Sequence, residues 1–298
     1  MEGAISKPPY TRRIAVVTGG NKGIGLEVCR QLASDGVTVV LTARDEKRGA
    51  DAVEKLKALG LCDILFHQLE ITDSSSIAAL ADFLKTRFGR LDILVNNAAV
   101  SGVEHVQEVD TNEEKRLEWV LKNIRDTVDG AKKSIQTNYY GTKHVIDTLL
   151  PLLQSSNGGR IANVTSAYGL LRRINNEEIR QELDDIENLT EERLDELLGK
   201  FLKDFEADAL EMHGWPVGLA AYKVAKAAMN AYSRILARRN RALRINCVHP
   251  GYVKTDMSMS SGVLTPEEGA RSVVNVALLP DGGPTGAYFA MGQEASFV

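Results

Sequence analysis

An α/β fold, with a doubly wound parallel sheet between two layers of helices, is predicted by three features of the 298-residue sequence. Short, wholly apolar runs, as strands buried on both faces require, alternate with segments of helical periodicity. No linker rich in proline, glycine or serine divides the chain, and no repeat of solenoid length is visible. One domain over residues 1–298 is expected, with a short N-terminal tail over residues 1–12.

Residues 14–18 are the first strand, which ends at glycines. From Gly25 the apolar positions Leu26, Val28, Leu32 and Ala33 recur at helical spacing until Gly36 stops them, and residues 37–42 follow as a second buried strand. A helix over 46–59 comes next. Strands over 64–69, 91–96, 160–165, 243–248 and 287–291 continue the series, mostly separated by helical patterns. Two stretches, about 101–134 and 170–216, are far longer than the roughly two to six residues usual for connections in such folds. The second is helical: Ile179, Leu183 and Ile186 make one apolar stripe, and Leu194, Leu197, Leu198, Phe201, Leu202 and Phe205 make another behind Thr190 as N-cap. It reads either as an extra helical pair packed on the body or as a wall over a ligand site.

Composition narrows the function. With 44% hydrophobic and 26% charged residues the chain is an ordinary globular one, which excludes disorder and fibre. A net charge of −4 supplies no basic field for nucleic acid or an anionic membrane, so a small-molecule partner is expected. Cys29, Cys62 and Cys247 lie far apart in unrelated contexts, as reduced thiols of a cytoplasmic protein do, and no metal site is expected. The N-terminal segment lacks the apolar run of a secretory signal, and no stretch reaches the roughly 18 apolar residues of a membrane span.

Between the first strand and first helix stands Thr18-Gly19-Gly20-Asn21-Lys22-Gly23-Ile24-Gly25. Such a cluster is either a tight turn or a cradle that lets backbone approach a pyrophosphate at the helix N-terminus, and its strand-to-helix setting favours the cradle. Leu26 follows Gly25, where a nucleotide-hydrolysing loop would need lysine and a hydroxyl residue. After the second strand comes Arg44 in place of the carboxylate that grips the ribose of NAD, and Lys22 adds a second positive charge, so NADP is favoured. Asp45 would reverse that preference if it faced the ribose, and is otherwise the N-cap of the next helix.

Tyr222 and Lys226, four apart in a helical segment that continues through Met229, Tyr232 and Leu236, share a face. Alone, such a pair is most simply a surface contact. A phenol has a pKa of about 10, but an ammonium at about 4 Å and an effective dielectric near 20 favours the phenolate by about 4 kcal/mol, enough to bring it toward pH 7. Ser166 lies just past the end of a strand, where open α/β sheets hold ligands, and Asn138 interrupts a helix without a propensity reason. Asn96-Asn97-Ala98-Ala99 and Pro250-Gly251-Tyr252-Val253-Lys254-Thr255 each follow a strand at the same sheet edge. His249 reads as a structural residue.

Thr18-Gly19-x-x-x-Gly23-x-Gly25, Asn96-Asn97-Ala98-Ala99, Asn138, Ser166, Tyr222-x-x-x-Lys226 and Pro250-Gly251, in that order, resemble the motif set of the short-chain dehydrogenases/reductases, with their Rossmann-type fold. The likeness runs from Ile14 to about Met291. Ser166 and Tyr222 lie about 55 residues apart, far more than in typical members, and this insertion resembles the carbonyl-reductase branch, plant menthone and salutaridine reductases included. The resemblance implies that Tyr222 is the acid/base, that Ser166 orients the carbonyl, and that Lys226 holds the nicotinamide ribose and lowers the Tyr222 pKa. It implies that Asn138 positions a water for a proton relay. Gly19, Asn21, Lys22, Gly23, Ile24 and Gly25 would cradle the phosphates and Arg44 the 2′-phosphate, with Glu70, Ile71, Asn97, Val253 and Thr255 completing the cofactor site. Glu70 stands where the family commonly has aspartate, and Ala99 where it has glycine.

The expectation is an NADPH-dependent carbonyl reductase acting on a ketone or aldehyde, a hydrophobic plant metabolite such as a terpenoid or alkaloid, with Ser166 and Tyr222 touching the substrate. A monomer is expected because the 170–216 insertion covers a helix face that other members use for tetramers. The alternative from another class is a non-catalytic NADPH-binding sensor or scaffold.

Overall fold

The computed structural model describes residues 12–105 and 122–298. The N-terminal tail before Arg12 and residues 106–121 of the first long stretch lie outside the described residues. The central sheet contains β1 (Ile14–Val17), β2 (Thr38–Ala43), β3 (Ile64–Gln68), β4 (Ile93–Asn96), β7 (Arg160–Val164), β8 (Arg244–His249), β9 (Tyr288–Ala290) and β10 (Gln293–Ala295) in the order β10-β9-β8-β7-β4-β1-β2-β3. All pairs are parallel except β9–β10. β5 (Val103–His105) and β6 (Ile124–Asp126) form a separate antiparallel ribbon.

The apolar strand runs work as the sequence requires. Side chains alternate across a strand, so Ile14 and Val16 enter one core while Ala15 and Val17 enter the other. The second core is closed by α1 (Gly23–Ser34), α2 (Glu46–Ala58) and α9 (Pro266–Ala277). The first is closed by α3 (Ser74–Arg87), α4 (Val128–Ile135), α5 (Thr142–Gln154) and α8 (Ala220–Arg239). Helices on both faces are thus the direct result of strands with no polar side. β10 was not predicted, because Gln293, Glu294 and Ala295 are all exposed and carry no apolar signal; it is a short antiparallel edge.

The 170–216 stretch forms α6 (Glu177–Asp184) and α7 (Glu191–Glu206), and Thr190 caps α7 by accepting the Arg193 N–H at 3.1 Å. Ile179, Leu183, Leu194, Leu197, Leu198 and Phe201 are buried in the first core. Ion pairs pin this layer to the helices beneath: Lys143 to Glu191 (3.1 Å) and Asp195 (3.4 Å), and Arg234 to Asp184 (2.9 Å). Of the two readings of the insertion, the packed helical pair is the one observed for α6 and α7, while the ends of the stretch run into the turn after Ser166 and into α8. Among the described residues no helix is long and apolar enough to cross a membrane.

Candidate active site

The chain winds outward from β1 to β3 and then crosses to β4, so the loops after β1 and β4 part at the carboxyl edge of the sheet and leave a crevice. Thr18, the first residue of the glycine motif, to which the sequence assigned no role, ties the two loops together: its hydroxyl accepts the N–H groups of Asn97 and Ala98, both at 3.0 Å. Asn97 returns the contact, donating its amide to the carbonyls of Thr18 (3.0 Å) and Gly19 (3.1 Å). Its side chain therefore braces the glycine loop from behind rather than facing a ligand.

The loop fits a dinucleotide phosphate. Gly19 has φ +64°, a left-handed conformation that suits glycine, and a Cβ there would stand 3.1 Å from Ala98 Cα. A Cβ on Gly25 would lie 2.4 Å from both the Gly19 carbonyl oxygen and the Asn97 amide nitrogen. Lys22 is the N-cap of α1 and makes no side-chain cap, so an anion beside Asn21, Gly23 and Ile24 meets helix N–H groups that no capping side chain has taken.

At the outer end of the crevice Arg44 is exposed immediately after β2, its carbonyl held by the Gln68 amide at 3.1 Å. Asp45 is an N-cap, accepting the Arg48 N–H at 2.8 Å, which removes the carboxylate that would have argued for NAD. Lys22 is paired with Asp256 of the loop after β8 at 2.5 Å. That pair is exposed on both sides and contributes at most about 1 kcal/mol, so Lys22 is readily drawn to a phosphate. Glu70 closes its own turn by accepting the N–H (3.1 Å) and hydroxyl (3.0 Å) of Thr72, and Ile71 is buried in the core. On the far side Val253 is buried, and Thr255 rests against Gly23, 3.4 Å from where a Cβ would be.

The catalytic candidates come together where β7 meets α8. Tyr222, Lys226, Asn230 and Ser233 recur at helical spacing down one side of α8, and the last three stitch that helix to the sheet. Lys226 Nζ donates to the Val164 carbonyl (2.8 Å), Thr165 donates to Asn230 (2.7 Å), and Asn163 donates to Ser233 (2.8 Å). Asn163 also accepts from Asn96 at 2.8 Å, so the seam reaches β4. Asn163, Thr165, Asn230 and Ser233 were missed. The signal for Asn230 and Ser233 is polar residues recurring with Lys226 down a helix that is otherwise buried, and that for Asn163 and Thr165 is polar residues in and just after an apolar strand. Gly169 lets α8 approach, since a Cβ there would be 2.7 Å from Lys226 Cβ.

These contacts bring Tyr222 to Ser166. Ser166 caps the turn Ala167–Gly169 by accepting the Tyr168 N–H at 3.1 Å, and its hydroxyl lies close enough to Tyr222 to favour the phenolate. Lys226 is 4% exposed and its ammonium lies 5.7 Å from the Tyr222 ring centroid. Burial pushes that ammonium down to about 8. The near-neutral phenol expected from the sequence is a point the structure corrects. Burial pushes Tyr222 up to about 12, opposed by the Ser166 hydroxyl and reinforced by neighbouring Tyr168. The ammonium is committed to the Val164 carbonyl and sits beside the ring instead of bonding the phenol oxygen, so desolvation wins.

Asn138 also differs from expectation. It lies in a π-helical turn, Gln136–Gly141, between α4 and α5, which accounts for a polar residue inside a helix. Its amide donates to the Val100 carbonyl (2.8 Å) and the Ser134 hydroxyl (3.0 Å), and its oxygen accepts the Val100 N–H (2.8 Å). The side chain fixes the loop after β4, so a water held for a proton relay would rest on what these bonds leave free at Asn138, its main-chain carbonyl included. His249 is mostly buried and burial lowers its pKa.

A profile of the short chain dehydrogenase family matches residues 13–177, and one described as enoyl-(acyl carrier protein) reductase matches residues 210–282. (+)-Neomenthol dehydrogenase of Capsicum annuum is 48% identical over 298 residues, covering 93% of this chain and 95% of that one. Carbonyl reductase [NADPH] 3 of Mus musculus is 41% identical over 278 residues, covering 90% of this chain and 91% of the other. The solved structure of salutaridine reductase from Papaver somniferum superposes with a TM-score of 0.88 at 45% identity, covering 94% of this chain and 99% of that chain.

Proposed function

The chain belongs to the short-chain dehydrogenase/reductase family, and from that premise we propose that it is an NADPH-dependent reductase of a ketone or aldehyde, a hydrophobic plant metabolite of the terpenoid or alkaloid kind. It is an oxidoreductase of carbonyl and alcohol groups, as its relatives are. The observation that carries the reading is the meeting of the Tyr222 phenol, the Ser166 hydroxyl and the Lys226 ammonium where β7 ends, beside the glycine-lined crevice.

In this reading Gly19, Asn21, Lys22, Gly23, Ile24 and Gly25 hold the pyrophosphate, with Arg44 at the 2′-phosphate and Lys226 at the nicotinamide ribose. When bound, the cofactor supplies the hydride that the carbonyl carbon receives. Ser166 holds the substrate oxygen against Tyr222. The phenol, kept protonated by burial, hands its proton to that oxygen as negative charge develops there. Lys226 remains largely an ammonium at neutral pH. Its charge, 5.7 Å from the Tyr222 ring centroid, lies on the side that favours the phenolate left behind. Asn138 contributes by holding the loop after β4 in place.

Cofactor consumption with monoterpenoid ketones, alkaloid ketones and aldehydes tests the function. Oxidation of NADPH that depends on one of these carbonyls is expected; tight cofactor binding with no oxidation on any of them would favour the non-catalytic sensor. Arg44→Ala is expected to raise the NADPH KM about 10- to 100-fold, the value of a charge-assisted phosphate contact, while NADH changes by less than about threefold. Equal losses with both cofactors would contradict the assignment.

A monomer working in the cytoplasm is part of the same proposal. Its support is that α7 is tied to α5 by the Lys143 ion pairs and to α8 by the Arg239–Glu191 pair, and that Cys29, Cys62 and Cys247 are all free. Sedimentation is expected to give one species of single-chain mass, and a tetramer would contradict it.

A further inference from the structure

Two residues beyond Ser166, the ring of Tyr168 carries two cations. The Arg173 guanidinium carbon is 5.6 Å from its centroid and the Lys223 ammonium 5.8 Å. Lys223 directly follows Tyr222 on α8, and the Tyr168 and Tyr222 phenols are near enough to interact electrostatically. Arg173 and Lys223 also act on each other: after burial, the Arg173 charge is what pushes Lys223 below the ordinary lysine range. The opposing charge is Asp126 on β6, whose carboxylate is engaged by the Ala220 N–H at 3.3 Å where α8 begins. Lys223 donates to the Val217 carbonyl at 2.7 Å. Arg173 is exposed, and among the described residues it has no carboxylate partner. Among the described residues, two cations against one carboxylate leave an excess of positive charge next to the reacting hydroxyls.

Holding two like charges on one ring gains the fold little, because the ring's attraction is set against their mutual repulsion. The arrangement gains when an anion arrives, and an unpaired guanidinium is the group best shaped to grip a carboxylate. Building on the reductase reading, we propose that Arg173, Lys223 and Tyr168 form a cationic rim on the substrate side of Ser166 and Tyr222 that selects carbonyl substrates by charge. Carbonyl compounds that carry a carboxylate are preferred, neutral ones are accepted, and those carrying a protonated amine are disfavoured. The rim therefore divides the two substrate kinds named above: an alkaloid-type ketone with a charged nitrogen meets like charges, whereas a terpenoid ketone or its acid does not.

Three 4-substituted cyclohexanones test this: the 4-carboxylate, its methyl ester and the protonated 4-dimethylamino compound. For each, kcat/KM is measured with NADPH, and the Kd is measured on the NADPH-loaded protein. A unit charge at about 6 Å in solvent-like dielectric changes affinity roughly threefold, so two cations give about tenfold. The carboxylate is expected to exceed the ester by about tenfold and the ammonium to fall about tenfold below it, with the spread shrinking as potassium chloride is raised. Arg173→Glu, a change at an exposed side chain, sets one new carboxylate against the remaining Lys223 cation and is expected to collapse the order. Equal values for the three probes, or an order that Arg173→Glu leaves unchanged, would overturn the rim. Ester turnover without a charge order keeps the reductase and rejects the rim. Binding in the expected order without turnover of any probe supports the rim and counts against carbonyl reduction.

Discussion

Tyr222→Phe is expected to lower kcat/KM for carbonyl reduction by at least about 10³-fold while leaving NADPH affinity within about threefold. Removing the oxygen deletes the proton that Tyr222 would hand to the substrate oxygen, and a positioned general acid contributes about 10² to 10⁴ in rate. The ring stays, so the packing of α8 and the cation beside it change little; Lys226 keeps its bond to the Val164 carbonyl. The loss should therefore fall on the chemical step, visible as absent hydride transfer in a single turnover with bound cofactor. Retention of more than a tenth of the activity would reject Tyr222 as the acid.

Gly25→Ala should be the most damaging single methyl group in the chain's cofactor crevice. The new Cβ would be 2.4 Å from the Gly19 carbonyl oxygen and from the Asn97 amide, and the first is backbone that has no rotamer to escape into. Either the loop after β1 moves or the brace from Asn97 breaks, and both dismantle the cradle. An overpacked site of this kind costs about 1–3 kcal/mol of stability, and the NADPH KM is expected to rise at least about tenfold. Gly199→Ala is the matched control. Gly199 lies within α7 with nothing within 4 Å of the added carbon, so the same methyl should stabilise by about 0.5–1 kcal/mol without touching cofactor affinity. Equal effects at the two positions, read by thermal unfolding and NADPH titration, would contradict the account of the loop.

The strands at the centre of the sheet were legible because burial on both faces admits no polar residue; the runs beginning at Ile14 and Thr38 declare themselves. β10 was not, since an exposed edge needs no apolar residue. The catalytic set could be read from spacing, because Tyr222 and Lys226 must share a helix face and Ser166 must end a strand. What spacing does not carry is the balance of energies at the site. Lys226 was expected to acidify Tyr222, but whether an ammonium outweighs burial depends on which oxygen it bonds, and that is decided by the Val164 carbonyl of another element. Asn97 and Asn138 were found by motif, yet their amides serve the backbone of neighbouring loops. Their partners, Thr18 and Val100, are distant in sequence and give no local sign.

In the proposed mechanism a phenol held protonated by burial, next to a buried ammonium, supplies the proton for carbonyl reduction. The pH dependence of single-turnover reduction with saturating NADPH tests it most directly. The acid form of Tyr222 persists up to about 12, and the ammonium of Lys226 up to about 8. Both required forms are protonated, so the rate should be level at neutral pH and below and should fall through about pH 8 as Lys226 loses its charge. Oxidation of the product alcohol, which needs the phenolate, should rise toward alkaline pH. A reduction rate that instead climbs with pH would contradict this mechanism.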